Sequence, residues 1–129
     1  MKSRETLIRL KKFQADEKRR RLNQIESMIA DFDRMAGDLD REILAEETKA
    51  GIKDSSHYAY PTYAKAAATR RDNLKRSADE LKEQQADAKA ALDEALAELR
   101  KAEQLEERDQ LRDRVVDASV EFGMLGAAR

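Results

Sequence analysis

LNQIESMIADFDRMAGDLDREI, residues Leu22 to Ile43, decides the fold. Its apolar residues stand at Leu22, Ile25, Ile29, Phe32, Ala36, Leu39 and Ile43, in steps that alternate three and four. That is the a/d seam of a coiled coil, in which a helix presents one narrow apolar stripe to a partner. Between these positions lie Glu26, Asp31, Asp33, Arg34, Asp38, Asp40, Arg41 and Glu42, so the remaining surface is charged. A stripe this narrow encloses no globular core. It needs a second helix, and the rest of the chain offers one.

Composition agrees. Of 129 residues 41% are charged and 5% aromatic, with four Gly and one Pro to interrupt a helix. Chains of this kind, rich in Ala, Glu, Lys, Leu and Arg, form long helices and coiled coils, and the sustained seam argues against disorder. Cysteine is absent, which removes disulfides and thiolate metal sites and suits a reducing cytoplasm. The start, MKSRETLIRLKKF, lacks the apolar core of a signal peptide, and no run approaches a membrane span. The expectation is a cytoplasmic protein.

Working outward, helix 1 is expected over about 4–50, with Ser3 as its N-cap and Leu7, Ile8, Leu10 and Phe13 as its first apolar residues. Carried backward from Leu22, the register places Lys18 and Lys11 at seam positions, alternating with Ala15 and Ile8. Gly37 inside this helix is read as a tolerated glycine rather than a point of close approach. Gly51 suits the position just after a helix C-terminus, and Asp54, Ser55 and Ser56 are turn formers, so the chain reverses over about 51–60. Pro61 fits the start of helix 2, expected over about 61–122. The seam resumes at Ala64, Ala67, Leu74, Ala78, Leu81, Ala88, Leu92, Ala95, Leu99 and Ala102, with Arg71 and Gln85 as polar insertions. It then slips to Leu111, Val115 and Phe122, and Gly123 and Gly126 are expected to end the helix in a loose tail. Helix 2 should overhang helix 1 by about a dozen residues.

Charge fixes the direction of pairing. Residues 1–21 carry a net +6 and residues 22–50 a net −5. A turn centred near residue 56 sets the acidic 36–47, net −4, against 65–76, net +4, and the basic 4–21 against 91–108, where six acids outnumber three bases. A parallel homodimer would set like charges together across the flanking positions. The fold expected is therefore all-α, a single long two-helix antiparallel coiled-coil hairpin. An antiparallel dimer of long helices would satisfy the same signs; the turn favours the hairpin.

Chemistry-bearing motifs are scarce. The sequence has no Gly-rich phosphate loop, nucleophile elbow or metal-spaced histidine set, and its one histidine, His57, reads as an exposed loop residue. The carboxylates occupy a solvated helix surface, so neither catalysis, a cofactor, a metal nor a small-molecule substrate is expected. Lys18-Arg19-Arg20-Arg21 could touch phosphates, but near-zero net charge and the lack of interleaved aromatics argue against nucleic acid. Tyr58, Tyr60 and Tyr63 all sit at the turn, either capping the end of the seam or offering an aromatic anchor to a partner.

Two stretches carry a resemblance: SRETLIRLKKFQADEKRRRLNQIE at the start and YAYPTYAKAAATRRDNLKRSADEL after the turn. The chain resembles the flagellar export protein FliJ family in its alphaproteobacterial form, over most of its length and more thinly after about residue 105. The resemblance implies a soluble, stalk-like component of the flagellar type III export apparatus, peripheral to the membrane through partners only. Its implied partners are the export ATPase ring, the transmembrane export gate protein and export chaperones. The family's opening Thr-Leu-x-x-Leu pattern matches Thr6, Leu7 and Leu10, followed by Glu17 and Leu22. By this resemblance Leu7, Leu10, Lys11 and Lys18, with Arg108, Arg112 and Arg114 of the overhang, face the ATPase. Met35, Leu39, Tyr63, Ala67 and Leu74 align with the gate-facing surface, although Glu42 and Glu46 stand where aromatics are expected. Two other readings fit a charged hairpin: a scaffold or chaperone binding a partner helix along the alanine-rich seam or at the tyrosine tip, and a nucleic-acid-binding rod.

Overall fold

A computed structural model describes the backbone of residues 2–127 and the side chains within 3–123. Two long helices, α1 (Lys2–Ala50) and α2 (Thr62–Ala127), pack against each other, with no strand among the described residues. The expected all-α helical hairpin is the fold. High-propensity residues favour both helices, and acid-before-base pairs one turn apart reinforce them: Asp16–Arg19, Asp31–Arg34, Asp38–Arg41, Asp79–Lys82 and Glu98–Lys101. Such exposed pairs contribute about 0.2–0.5 kcal/mol each.

The chain forms two compact units. The first, Arg20–Lys89, contains the turn and most of the buried seam. All seven seam residues of Leu22–Ile43 are buried or half-buried, and so are Ala64, Ala67, Leu74, Ala78, Leu81 and Ala88 opposite. Ile25, Ile29 and Leu81 form one cluster, with Phe32 and Ala88 against it; Ile43, Ala64 and Ala67 form another, with Leu39 and Tyr60. Large residues on α1 meet alanines on α2. The polar insertion Arg71 reaches across at the seam's edge, its Nη1 donating to Asp40 Oδ1 at 3.0 Å and its Nε to Asp72 at 3.1 Å.

Gly51 ends α1 at φ +68°, with its N–H donating to the Glu47 carbonyl at 2.9 Å. This is the left-handed C-cap that satisfies an orphan carbonyl. Asp54 builds the turn by accepting from the Ser56 N–H (3.0 Å) and hydroxyl (2.6 Å), while its carbonyl accepts from the His57 N–H. The hydroxyl bond, then the backbone bond, holds the Asp54 carboxyl below its ordinary value. The Pro61 carbonyl accepts the first bond of α2, from Lys65, so Pro61 stands just before the helix.

The second unit joins residues 1–19 to 90–129. Its seam is thinner: Ala15 and Ala102 are buried, while Leu7, Ile8, Leu92, Ala95 and Leu99 are half-buried. Arg4 Nε donates to Asp109 Oδ2 at 3.0 Å, and Lys11 Nζ lies 3.8 Å from Glu98. Every described side chain of α2 beyond Asp109 is exposed, so α2 outruns α1.

Three expectations need correction. Helix α1 starts at Lys2, which puts Ser3 inside the helix rather than at its cap. Leu10 and Phe13, which the register leaves outside the seam, are 49% and 61% exposed, in keeping with that register. Lys18 is exposed: its flexible stem carries the ammonium out of the seam to water, whereas Lys11 is half-buried with its ammonium 3.8 Å from Glu98. Helix α2 continues through Gly123 and Gly126 to Ala127, because glycine keeps its N–H and costs only about 1 kcal/mol against alanine in a helix. Residues 128 and 129, the end of the tail expected to be loose, lie outside the described residues.

The two described glycines at and before the turn give opposite expectations. A Cβ on Gly37 would meet only Arg41 Nη1 at 3.9 Å, an ordinary contact. Gly37→Ala should therefore stabilise the fold by about 0.5–1 kcal/mol. Gly51→Ala should cost about 1–2 kcal/mol, through its left-handed backbone alone. Urea unfolding followed by helicity measures both. The same assay should show a loss of about 2–4 kcal/mol for Ile25→Ala, whose side chain is 1% exposed. Met28→Ala, at a site 44% exposed, should stay within about 0.5 kcal/mol.

Candidate partner-binding surfaces

In the turn-containing unit the chain brings together the residues expected on one surface. Met35, Leu39, Tyr63 and Leu74 line a single groove of about 230 Å³ with Asp38, Glu42 and Arg70. Ala67 does not line it: 5% exposed, it belongs to a smaller neighbouring groove with Leu39, Tyr63, Ala66 and Arg70. The heptad spacing explains the placement: Leu39 and Leu74 are seam residues, while Met35 and Tyr63 stand beside it, half in water. Open on one side and smaller than the roughly 300–1,000 Å³ of ligand clefts, the groove suits an inserted side chain.

Glu42 and Glu46, where aromatics were expected, are partly accounted for here. The Tyr63 hydroxyl donates to Glu42 Oε2 at 2.8 Å, tying the ring across the groove to α1. Tyr60 does the same nearer the turn, donating to Glu47 Oε2 at 2.9 Å while its ring packs on the Ile43–Ala64 cluster. Both phenols are pushed above the usual tyrosine value. For Tyr63 the carboxylate bond is the chief cause; for Tyr60 burial comes first and the Glu47 bond second. The three tyrosines therefore divide: Tyr60 and Tyr63 brace the hairpin, while Tyr58 is 96% exposed and stacked on His57 at 4.7 Å. His57 Nδ1 accepts from the Ala59 N–H at 3.0 Å, so this ring is used within the turn. No cluster of three metal-ligating side chains occurs among the described residues.

The second expected surface is only partly assembled. Leu7 is half-buried in the seam and Leu10 faces water. Lys18, exposed, borders a groove with Phe13, Glu17, Glu94 and Glu98. It lies fourteen residues along α1 from Arg4, about 21 Å at helical rise, and so stands apart from the Asp109 end. Arg108, Arg112 and Arg114 are exposed on α2. Arg112 Nη2 donates to Asp109 Oδ1 at 2.6 Å, so Asp109 is gripped by Arg112 and Arg4 together. The Arg112 bond is the first cause that lowers the Asp109 pKa. A depressed carboxylate pKa means a clasp present above the ordinary Asp value and lost only as pH falls through the lower one. Sequence reading missed Asp109, for which the Asp109–Arg112 spacing was the local signal, and named Phe13 only as an apolar residue of helix 1.

Comparison with family models, curated proteins and solved structures returned no match. Among the described residues no helix is long and apolar enough to cross a membrane.

The raised phenol values make an alkaline test. The bonds to Glu42 and Glu47 hold below the ordinary tyrosine pKa, and their stabilisation fades as pH rises through the raised values. Glu42→Gln removes the charge above Tyr63, so part of the tyrosinate absorbance should appear at lower pH than in the unaltered chain. With three Tyr and no Trp, the near-ultraviolet titration reads this directly. An unchanged curve would mean the Tyr63–Glu42 bond does not persist in solution.

Proposed function

We propose that this protein is a stalk-like component of a flagellar type III export apparatus, acting by mechanical and electrostatic coupling without an active site of its own. In this reading the overhanging end of α2 binds the export ATPase ring. The Met35–Tyr63–Leu74 groove meets the export gate protein, and helix faces remain for export chaperones. The observation that carries the reading is the overhang itself. Beyond Asp109, α2 exposes apolar residues on two opposite sides: Val116 and Val120 along the continuing seam, and Leu111, Val115 and Phe122 behind it. A helix apolar on both sides is best desolvated by a surface that surrounds it, as a ring would, rather than one that flanks it. Arg108 and Arg114 are exposed there as well, about 120° apart around the helix, so that each can meet a different part of a surrounding surface. The resemblance of the two quoted stretches to the FliJ family supplies the identity of the ring.

The test is co-elution of the purified chain with the flagellar export ATPase of its own organism, with ATP hydrolysis followed alongside. Retention with raised hydrolysis is expected. Arg108→Glu with Arg114→Glu should weaken retention about tenfold or more, roughly 1.4 kcal/mol, while helicity is kept. Lys11→Glu with Lys18→Glu should weaken it less, since Lys11 is engaged by Glu98 and Lys18 lies along α1. Unchanged retention in both variants would remove the ATPase contact from this end.

One observation favours a second reading, a scaffold or chaperone-type hairpin. Tyr58, projecting and stacked on His57 at the turn, is the kind of aromatic that anchors a partner. Hydrogen-exchange protection by a partner at 57–63, with none on α2 beyond Asp109, would favour it over the stalk.

A further inference from the structure

We propose that α2 beyond Asp109 pairs antiparallel with the same segment of a second copy of this chain. The proposal rests on the geometry of one helix and concerns the free chain; the ring of the export reading would compete with the second copy for the same stripe. Leu111, Val115 and Phe122 are 60%, 58% and 80% exposed, and Ala118 between them is exposed as well. Their steps of four, three and four make a second a/d stripe, behind the seam that α2 shares with α1.

The stripe is complementary to itself in one direction. Two copies run antiparallel about the midpoint of Val115–Ala118 set Leu111 opposite Phe122 and Val115 opposite Ala118, large against large and medium against small. A two-fold axis then repeats each layer, giving four layers in all. In that register the flanking residue Arg114 faces Glu121 of the other copy, twice by symmetry, and Arg112 faces Ser119. In a parallel register Arg114 would face Ser119 and each side chain of the stripe would meet its own copy, so both matches are lost. The sign pattern agrees: Arg112 and Arg114 lie before the midpoint, Asp117 and Glu121 after it. Val116 and Val120 stay outside the pairing. The contact is short, below the roughly 1,200 Å² of a standard stable interface, so the dimer is a weak and reversible one.

Sedimentation equilibrium of the full chain up to high micromolar concentration tests this. A monomer–dimer equilibrium is expected, with Phe122→Ser abolishing it. Arg114→Glu should raise the dissociation constant about tenfold by facing Glu121 with a like charge. Glu121→Arg should act alike, and the double reversal should restore pairing. Because the chain has no cysteine, orientation can be read by cross-linking. A mixture of Val115→Cys and Ala118→Cys chains should form the mixed disulfide in preference to either homodimer. Homodimeric cross-links in preference would show a parallel contact and overturn the proposal. A chain that stays monomeric throughout would overturn it too, leaving this stripe to a different partner.

Discussion

Each helix of this protein buries one stripe, and the partner stripe is what keeps the other helix folded. α1 supplies the bulk through Leu22, Ile25, Ile29 and Ile43, and α2 supplies alanines that let the backbones approach. Ile25 is the large side chain that becomes fully buried among the described residues. The hydrophobic stabilisation is therefore spread thinly along a line rather than gathered in a centre. Every deviation from the a/d pattern has to be settled at the edge, where water is in reach. Arg71 resolves this by reaching to Asp40, Lys11 by reaching to Glu98, and Lys18 by leaving the seam.

A fold of this kind leaves little room for chemistry that requires enclosure. Its grooves are open, and its perturbed groups owe their shifts mostly to neighbouring hydrogen bonds. Asp109 between two arginines and Tyr63 on Glu42 are clasps that join the two helices beside the seam, while Asp54 on Ser56 braces the turn itself. Recognition of a partner is the task we propose for such a surface. The features left over from holding the hairpin together are the groove beside Tyr63, the projecting Tyr58 and the bare length of α2.

The seam was legible because a three–four alternation has one physical meaning for a charged sequence. The direction of the hairpin was legible because the charge blocks reverse sign about the turn. Gly51 was legible too, since the left-handed cap favours glycine. The end of α2 was not. Gly123 and Gly126 read as stops, yet glycine lowers helix stability without removing a hydrogen bond, and neighbouring helix formers carry it through. Nor were the tyrosines separable by pattern: Tyr58, Tyr60 and Tyr63 differ by which carboxylate comes within reach across the turn. Of the surface residues named from sequence, those near Tyr63 fell together because seam spacing placed them. The terminal set scattered along α1, because its grouping rested on resemblance rather than on a shared helical face.

The separation of contacts along the chain carries a kinetic consequence. Tyr63 meets Glu42 across 21 residues, whereas Arg4 meets Asp109 across 105. For a flexible chain that difference in loop length amounts to about 1.4 kcal/mol of closure entropy. Contacts beside the turn are thus the cheaper ones to form first, and each helical turn zipped onto them shortens the loop for the next. The clasp at Arg4 and Asp109 is the last to close in such a sequence and the first to open. The free ends of the two helices can then separate and rejoin while the seam beside the turn stays shut.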